Sequence, residues 1–410
     1  MNLKKRISKN DWYDMVSIIV IGIVLLAFFA VRGAGEYPDT FGYINYDLDI
    51  MGEPLYPLFL AFFRKVFGTQ IYLTVVAGFQ IAFTLFSVWY LVRYIADLFH
   101  VEGVFRSMMF FICLAFLVLP AVFSVTGIVT FLSILTEGVS YSMFFCFFVC
   151  VCKAVIDRTN KYLVFSAIWA TLISLLRTQL MFTMVIVFLA AVYLVVVSQE
   201  KCKTLLFCLV MFVLSFGVMN IVQISFSRCV YQEKKVIGNS INLYANIMYL
   251  GTLDDAQLFQ DADVRDIYLE IYNIKTENQW SWETFDGAGF IDAAMNLEKS
   301  HDELKDAFVM VMDGYLNEAG IEGDIERYRI QNEFAKEIYT TLLPQHITQW
   351  VYDYVCLCLV GFVRTVAVAP TNFMMQLYTI IIYLAVTSFM GQYSRVPWVS
   401  DIIDSNVGRH

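Results

Sequence analysis

The sequence predicts an all-α polytopic membrane protein of about nine transmembrane helices (about 8 to 10), and three observations carry that expectation. Of its 410 residues 59% are hydrophobic and only 16% are charged, against roughly 25% charged in soluble domains. Mean hydropathy is +0.63. The apolar residues come in long runs rather than in period-two alternation, and a bilayer core about 30 Å thick needs roughly 20 of them per helix. Helices rather than a barrel therefore satisfy the backbone in lipid.

The runs at 14–32, 71–98, 105–124, 130–153, 162–176, 179–198, 204–226, 348–369 and 372–391 read as spans. The stretch 162–176 is short because Arg177 interrupts what otherwise reads as one long segment. Lys4, Lys5, Arg6 and Lys9 precede the first run, and positive charge near a membrane end marks the cytoplasmic side. Alternation then puts Arg93, Arg106, Lys153, Arg158, Lys161, Lys201, Lys203 and Arg364 inside, and every short basic loop agrees. It puts 33–70, the turn near Thr126–Glu137, Arg177 and the long segment 227–346 outside. The first run exceeds the apolar core of a signal peptide, so an uncleaved helix is expected. The chain reads as an integral, multi-pass plasma-membrane protein with a cytoplasmic N-terminus.

Four regions follow: a transmembrane module, 1–226, with its first external loop at 33–70; an acidic extracytoplasmic segment, 227–346; C-terminal transmembrane helices, 347–391; and a short polar tail, 392–410. The acidic segment accounts for much of the net charge of -9. Apolar residues recur through it at helical spacing, as in SHDELKDAFVMVMDGYLNEAG, so helices are expected rather than disorder. Its acidity excludes nucleic acid as a partner, because phosphate needs a basic surface. Neither an internal repeat nor a pair of matched broken helices is visible, which weakens a transporter reading.

Of the nine cysteines only Cys229 falls outside the membrane and the inner side. The external segments thus carry no disulfide framework, which suits a bacterial-type protein. The clusters CFFVCVC and CLC read as packing residues, since no histidine accompanies them. His100, His301, His346 and His410 are scattered, and neither a zinc-protease helix nor a phosphate-binding glycine loop is present.

Chemistry is therefore left to acids and arginines at the outer face. Asp39 lies a few residues past the first membrane exit, with Thr40 and Tyr43 a turn away, and an N-cap is its simplest structural role. GEPLYPLFLAFFRKVFG is too short to span and predicts an interfacial helix, with Arg64 and Lys65 near its end. Glu137 and Arg177 stand at outer helix edges, where charge usually faces a cavity or a partner. Helix-terminus stabilisation for Glu137 and snorkelling to headgroups for Arg177 remain the competing explanations.

Asp39-Thr40-Phe41-Gly42-Tyr43, Gly52-Glu53-Pro54-Leu55-Tyr56-Pro57 and Val66-Phe67-Gly68, taken in order after one N-terminal span, resemble the GT-C superfamily of polytopic glycosyltransferases. The closest likeness is to bacterial relatives of the dolichyl-phosphate-mannose:protein mannosyltransferases. Gln80 in the next span, LTEGVSYSM around Glu137 and LLRTQL around Arg177 extend the likeness over about the first 200 residues. Fewer spans follow the external segment than is common in that family, and 227–346 matches none of its domains.

The resemblance implies transfer of a sugar from a polyprenyl-phosphate carrier to an extracytoplasmic acceptor hydroxyl in a cell-envelope glycan, lipid or protein. Asp39 would be the catalytic base, since an alcohol attacks poorly until a positioned carboxylate takes its proton. Arg177 would hold the donor phosphate through its guanidinium fork, with Arg64 and Lys65 as alternatives. Tyr43, Tyr56, Gln80 and Glu137 would line the substrate site. Asp47, Asp49 and Glu53 carry oxygens that suit hard cations, but no spacing defines a site, and neither a metal nor another cofactor is assigned. The expected partners are the lipid-linked donor, the bilayer and an acceptor of unknown identity. A flippase for a lipid-linked glycan is the alternative function, and a membrane scaffold a third.

Overall fold

The computed structural model describes residues 9–123, 131–281 and 290–367. These form thirteen α-helices: α1 (Lys9–Arg32), α2 (Pro38–Asn45), α3 (Leu55–Phe67), α4 (Tyr72–Leu98), α5 (Val104–Phe123), α6 (Glu137–Ile156), α7 (Asn160–Leu176), α8 (Phe182–Val197), α9 (Lys201–Phe226), α10 (Ser240–Met248), α11 (Ala262–Glu277), α12 (Phe290–Glu318) and α13 (Asp324–Ala367). The chain divides into two units, one of residues 1–234 and 372–410 and one of 235–371.

Five described helices are long and apolar enough to cross a membrane: Asn10–Arg32, Tyr72–Leu98, Glu137–Ile156, Thr178–Val197 and Lys201–Tyr231. This is an all-α membrane protein. Two further apolar helices, Val104–Ala115 and Asn160–Leu176, are shorter, so the described residues do not reach the expected count of about nine. Predicted span 372–391, the tail and the basic residues Lys4, Lys5 and Arg6 lie outside the described residues. Predicted span 348–369 begins inside α13, which runs unbroken through the boundary placed at residue 346 and carries Pro344 in its interior.

In the first unit, α1, α4 and α5 share a core of Ile21, Leu25, Ile81, Val88, Val92 and Phe110. Helices α6 to α9 share another, in which Ala167, Ala170, Ala190 and Ala191 let backbones approach closely. Cys146 and Cys150 are buried in α6. At the predicted cytoplasmic end Arg106, only 3% exposed, is held by Asp14 at 2.5 and 2.8 Å and by Asp97 at 2.6 Å, while Arg93 pairs with Asp11 at 3.3 Å. These two arginines thus knit α1, α4 and α5 together.

The short helix expected in the first loop forms as α3. Tyr56, Leu60 and Phe63, at i, i+4 and i+7, are buried. Phe59 and Phe63 pack on Phe79 of α4 at centroid distances of 5.5 and 5.6 Å. Leu58, Phe62 and Val66 are exposed on the other side. Thirteen residues rise only about 20 Å, too little to span a bilayer.

The second unit is the expected helical acidic segment with a core of its own. Val264, Ile267, Tyr268 and Ile271 of α11 keep the i, i+3, i+4, i+7 stripe, and Leu304, Phe308 and Met312 of α12 and Ala335, Ile338 and Leu342 of α13 complete it. Tyr244 of α10 packs on Phe308 at 4.6 Å. A buried cation is built into this core: Lys275 Nζ donates to the carbonyls of Met248 at 3.1 Å, Tyr249 at 3.4 Å and Gly251, closing the end of α10. Lys275→Met strands those acceptors, and a buried group left unpaired costs about 1–3 kcal/mol. Hydrogen exchange on the full-length protein is expected to show amides of 240–275 opening about 30-fold more readily, equivalent to about 2 kcal/mol.

Candidate functional site

A segment of turns and bends, 131–136, organises the predicted outer end of the first unit. Gly35 N donates to Leu132 O at 3.0 Å and Ile134 N to Gly35 O at 2.8 Å, an isolated parallel bridge opposite Ser133. Thr40 Oγ1 donates to Ile134 O at 2.9 Å and accepts from Tyr37 N at 2.9 Å. Phe131, Leu132, Ser133, Ile134 and Thr136 are all buried. The pairing delivers Thr136 and Glu137 beside α2, and α6 starts at Glu137, where a carboxylate meets the positive end of the helix dipole.

Arg177 follows the last residue of α7 in extended conformation, before a 3-10 turn, Thr178–Met181, leads into α8. Its Nη1 pairs with Glu137 Oε1, and its Nε donates to Gln179 Oε1 at 3.1 Å. Both members of the pair are about one-third exposed, 31% and 33%. Thr136 Oγ1 donates to the other Glu137 oxygen at 3.1 Å. From the first loop Glu53 reaches the same turn, and its Oε1 accepts from Thr178 N at 2.9 Å and Thr178 Oγ1 at 3.0 Å. Burial raises the Glu53 carboxyl above the usual range, opposed by the Thr178 donors and Arg177 and reinforced by Glu137.

Tyr43 and Tyr56 meet edge to face at 5.0 Å. Burial pushes the Tyr43 phenol up to about 12; Thr136 hydrogen-bonds it, and the charges of Glu53, Glu137 and Arg177 act on it. Tyr56 is raised well above its usual value by burial, with Tyr43 adding to the shift. Gln80 lies fully buried behind them, donating through Nε2 to Ser133 O at 3.2 Å and Tyr56 OH at 3.5 Å. Its Oε1 has no partner among the described residues.

Gly138 makes room for this amide. A Cβ there would stand 2.8 Å from both Gln80 Cδ and Ser133 O, and the second of these is backbone that cannot swing aside. Gly138→Ala is expected to cost about 1–3 kcal/mol through overpacking and to loosen the Gln80–Tyr56 contact. A lowered thermal midpoint of the purified protein checks the first effect.

The structure therefore gathers Tyr43, Tyr56, Gln80, Glu137 and Arg177. Asp39 stands apart from their hydrogen bonds. It is exposed in the first turn of α2, one helical turn before Tyr43, and its side chain makes no hydrogen bond among the described residues. The expected N-cap role is corrected: α2 begins at Pro38, whose ring fits the first helical position, and Tyr37 occupies the cap. Arg64 and Lys65 are not brought to the cluster. They sit in the last turn of α3, with Arg64 about 12 Å along the axis from Tyr56.

Asp47 and Asp49 are exposed. The loop that carries them is tied by Tyr231 OH donating to Asp47 O at 2.9 Å and Gln223 Nε2 donating to Gly52 O at 2.8 Å. Thr136 and Thr178 are site residues that their position in sequence did not single out, although each adjoins a motif residue; Glu53, noted in the sequence only as an oxygen that suits a hard cation, joins them through Thr178. Among the described residues no three histidines, cysteines or carboxylates group to hold a metal ion.

An all-α membrane protein with a polar cluster at the ends of α2, α6 and α7 is thus the class that fold and site define. No protein family, curated protein or solved structure matches the chain.

Proposed function

We propose that this protein is a glycosyltransferase of the GT-C type, with about nine spans, a cytoplasmic N-terminus and an extracytoplasmic site in a bacterial-type plasma membrane. It would move a sugar from a polyprenyl-phosphate carrier to an acceptor hydroxyl. One observation carries this reading: residues from five separated motifs, Tyr43, Tyr56, Gln80, Glu137 and Arg177, meet in one cluster, and Asp39 lies one helical turn before Tyr43 in the same helix.

In this reading Arg177 meets the carrier phosphate, because a guanidinium matches phosphate oxygens and stays charged at any working pH. Its partial exposure leaves room for a ligand beside Glu137. The anomeric carbon lies between Arg177 and Asp39. Asp39 takes the acceptor proton as the hydroxyl oxygen attacks that carbon, while the bond to the phosphate oxygen breaks and Arg177 stabilises the charge that develops there. Tyr43 and Glu53 border the sugar.

The test is incubation of the purified protein in nanodiscs with a panel of polyprenyl-phosphate sugars and an extract of envelope acceptors. Consumption of one donor with release of free polyprenyl phosphate is the expected result. Movement of intact lipid-linked sugar across proteoliposomes, without cleavage of any donor, would instead establish the flippase reading.

A further inference from the structure

Two carboxylates face one guanidinium in the cluster. Glu137 pairs with Arg177 directly, and Glu53 is close enough to feel both. With both acids ionised the trio carries a net negative charge before any ligand arrives. A phosphate approaching Arg177 then meets repulsion as well as attraction, and in a half-buried site that repulsion is weakly screened.

Of the two acids, Glu137 is the one in direct contact with Arg177, whereas Glu53 receives its hydrogen bonds from neutral donors. Both come from Thr178, and both fall on Oε1. Its Oε2 receives no hydrogen bond among the described residues. The charged and titratable groups that face Glu53 are Glu137 of α6, Arg177 at the end of α7 and Tyr43 of α2. Burial and Glu137 favour its neutral form, while Thr178 and Arg177 favour the ionised one. An arriving anion adds to the first pair of influences and occupies the cation that belongs to the second.

We propose that Glu53 is the charge-balancing residue of the phosphate subsite, taking up one proton from solvent when an anionic lipid phosphate docks on Arg177 and returning it when the ligand leaves. The inference rests on the carrier reading of Arg177 above. Its sign follows from linkage. The complex favours protonated Glu53, so affinity is highest below the Glu53 titration and falls as pH rises through it, with a slope approaching tenfold per pH unit.

The experiment measures binding of a methyl-esterified polyprenyl phosphate, a diester whose single charge does not titrate in the working range, to the full-length protein in nanodiscs between about pH 5 and pH 9. The native protein is expected to bind progressively more weakly as pH rises. Glu53→Gln keeps an acceptor for Thr178 and removes the titrating group, so its binding should be tight and independent of pH.

Thr178→Val removes a donor that stabilises ionised Glu53. Its titration should therefore move to higher pH without losing its slope. A flat profile in the native protein, or an unchanged slope in Glu53→Gln, overturns the role of Glu53 while leaving the carrier reading intact. Failure of the native protein to bind the diester at any pH, matched by Arg177→Ala, overturns the carrier reading and this inference with it.

Discussion

Asp39→Asn is expected to lower sugar transfer by about 100-fold or more, since a positioned general base contributes about 10²–10⁴. Asparagine keeps the size and much of the hydrogen bonding of the carboxylate and loses only its basicity. Asp39 is exposed and its side chain makes no hydrogen bond among the described residues, so stability should move by no more than about 0.5 kcal/mol. Turnover at saturating donor, compared with membrane insertion and thermal midpoint in the same preparation, separates the two. In the proposed reaction Asp39 meets the acceptor hydroxyl rather than the carrier phosphate. Near-normal transfer by the variant would remove Asp39 from the reaction and leave Glu53 as the carboxylate near Arg177 that is not its ion-pair partner.

Arg177→Ala is expected to raise the KM for the lipid donor and to reduce kcat/KM by about 10²–10³, the usual loss when one group that stabilises developing negative charge is deleted. The Glu137 pair is partly exposed, so its own contribution to stability is about 0–1 kcal/mol, and the variant should still fold. Arg177→Lys should fall between the two, because an ammonium keeps the charge without the planar fork. An unchanged dependence of rate on donor concentration in Arg177→Ala would mean that the side chain meets lipid headgroups instead. Both variants are read in the same nanodisc assay, so their effects on kcat and KM can be compared directly.

The membrane class was legible from hydropathy alone, and α3 from its length and its two proline-led turns. The apolar stripes of α11, α12 and α13 were legible from period, because a helix buries every third or fourth residue wherever it folds. Of the two roles the sequence offers Asp39, the structure removes that of helix cap. Pro38 takes the first helical position and Tyr37 the cap before it, a difference of two residues that sequence does not resolve. Arg64 and Lys65 looked plausible as phosphate ligands through proximity in sequence. The axial rise of α3 carries them away from the cluster.

Sequence by itself thus determined an all-helical membrane chain, an amphipathic helix in its first loop, an acidic helical segment and the residue types available for chemistry. Tertiary structure alone decided which of them meet. Glu53 and Thr178 are 125 positions apart, yet share two hydrogen bonds, and Gly138 matters because Gln80 and the Ser133 carbonyl pass against it. Periodicity records which face of a helix is buried. The pairing of 131–136 with Gly35, which aligns α2 with α6, leaves no periodic trace, since it is made by backbone groups that every residue carries.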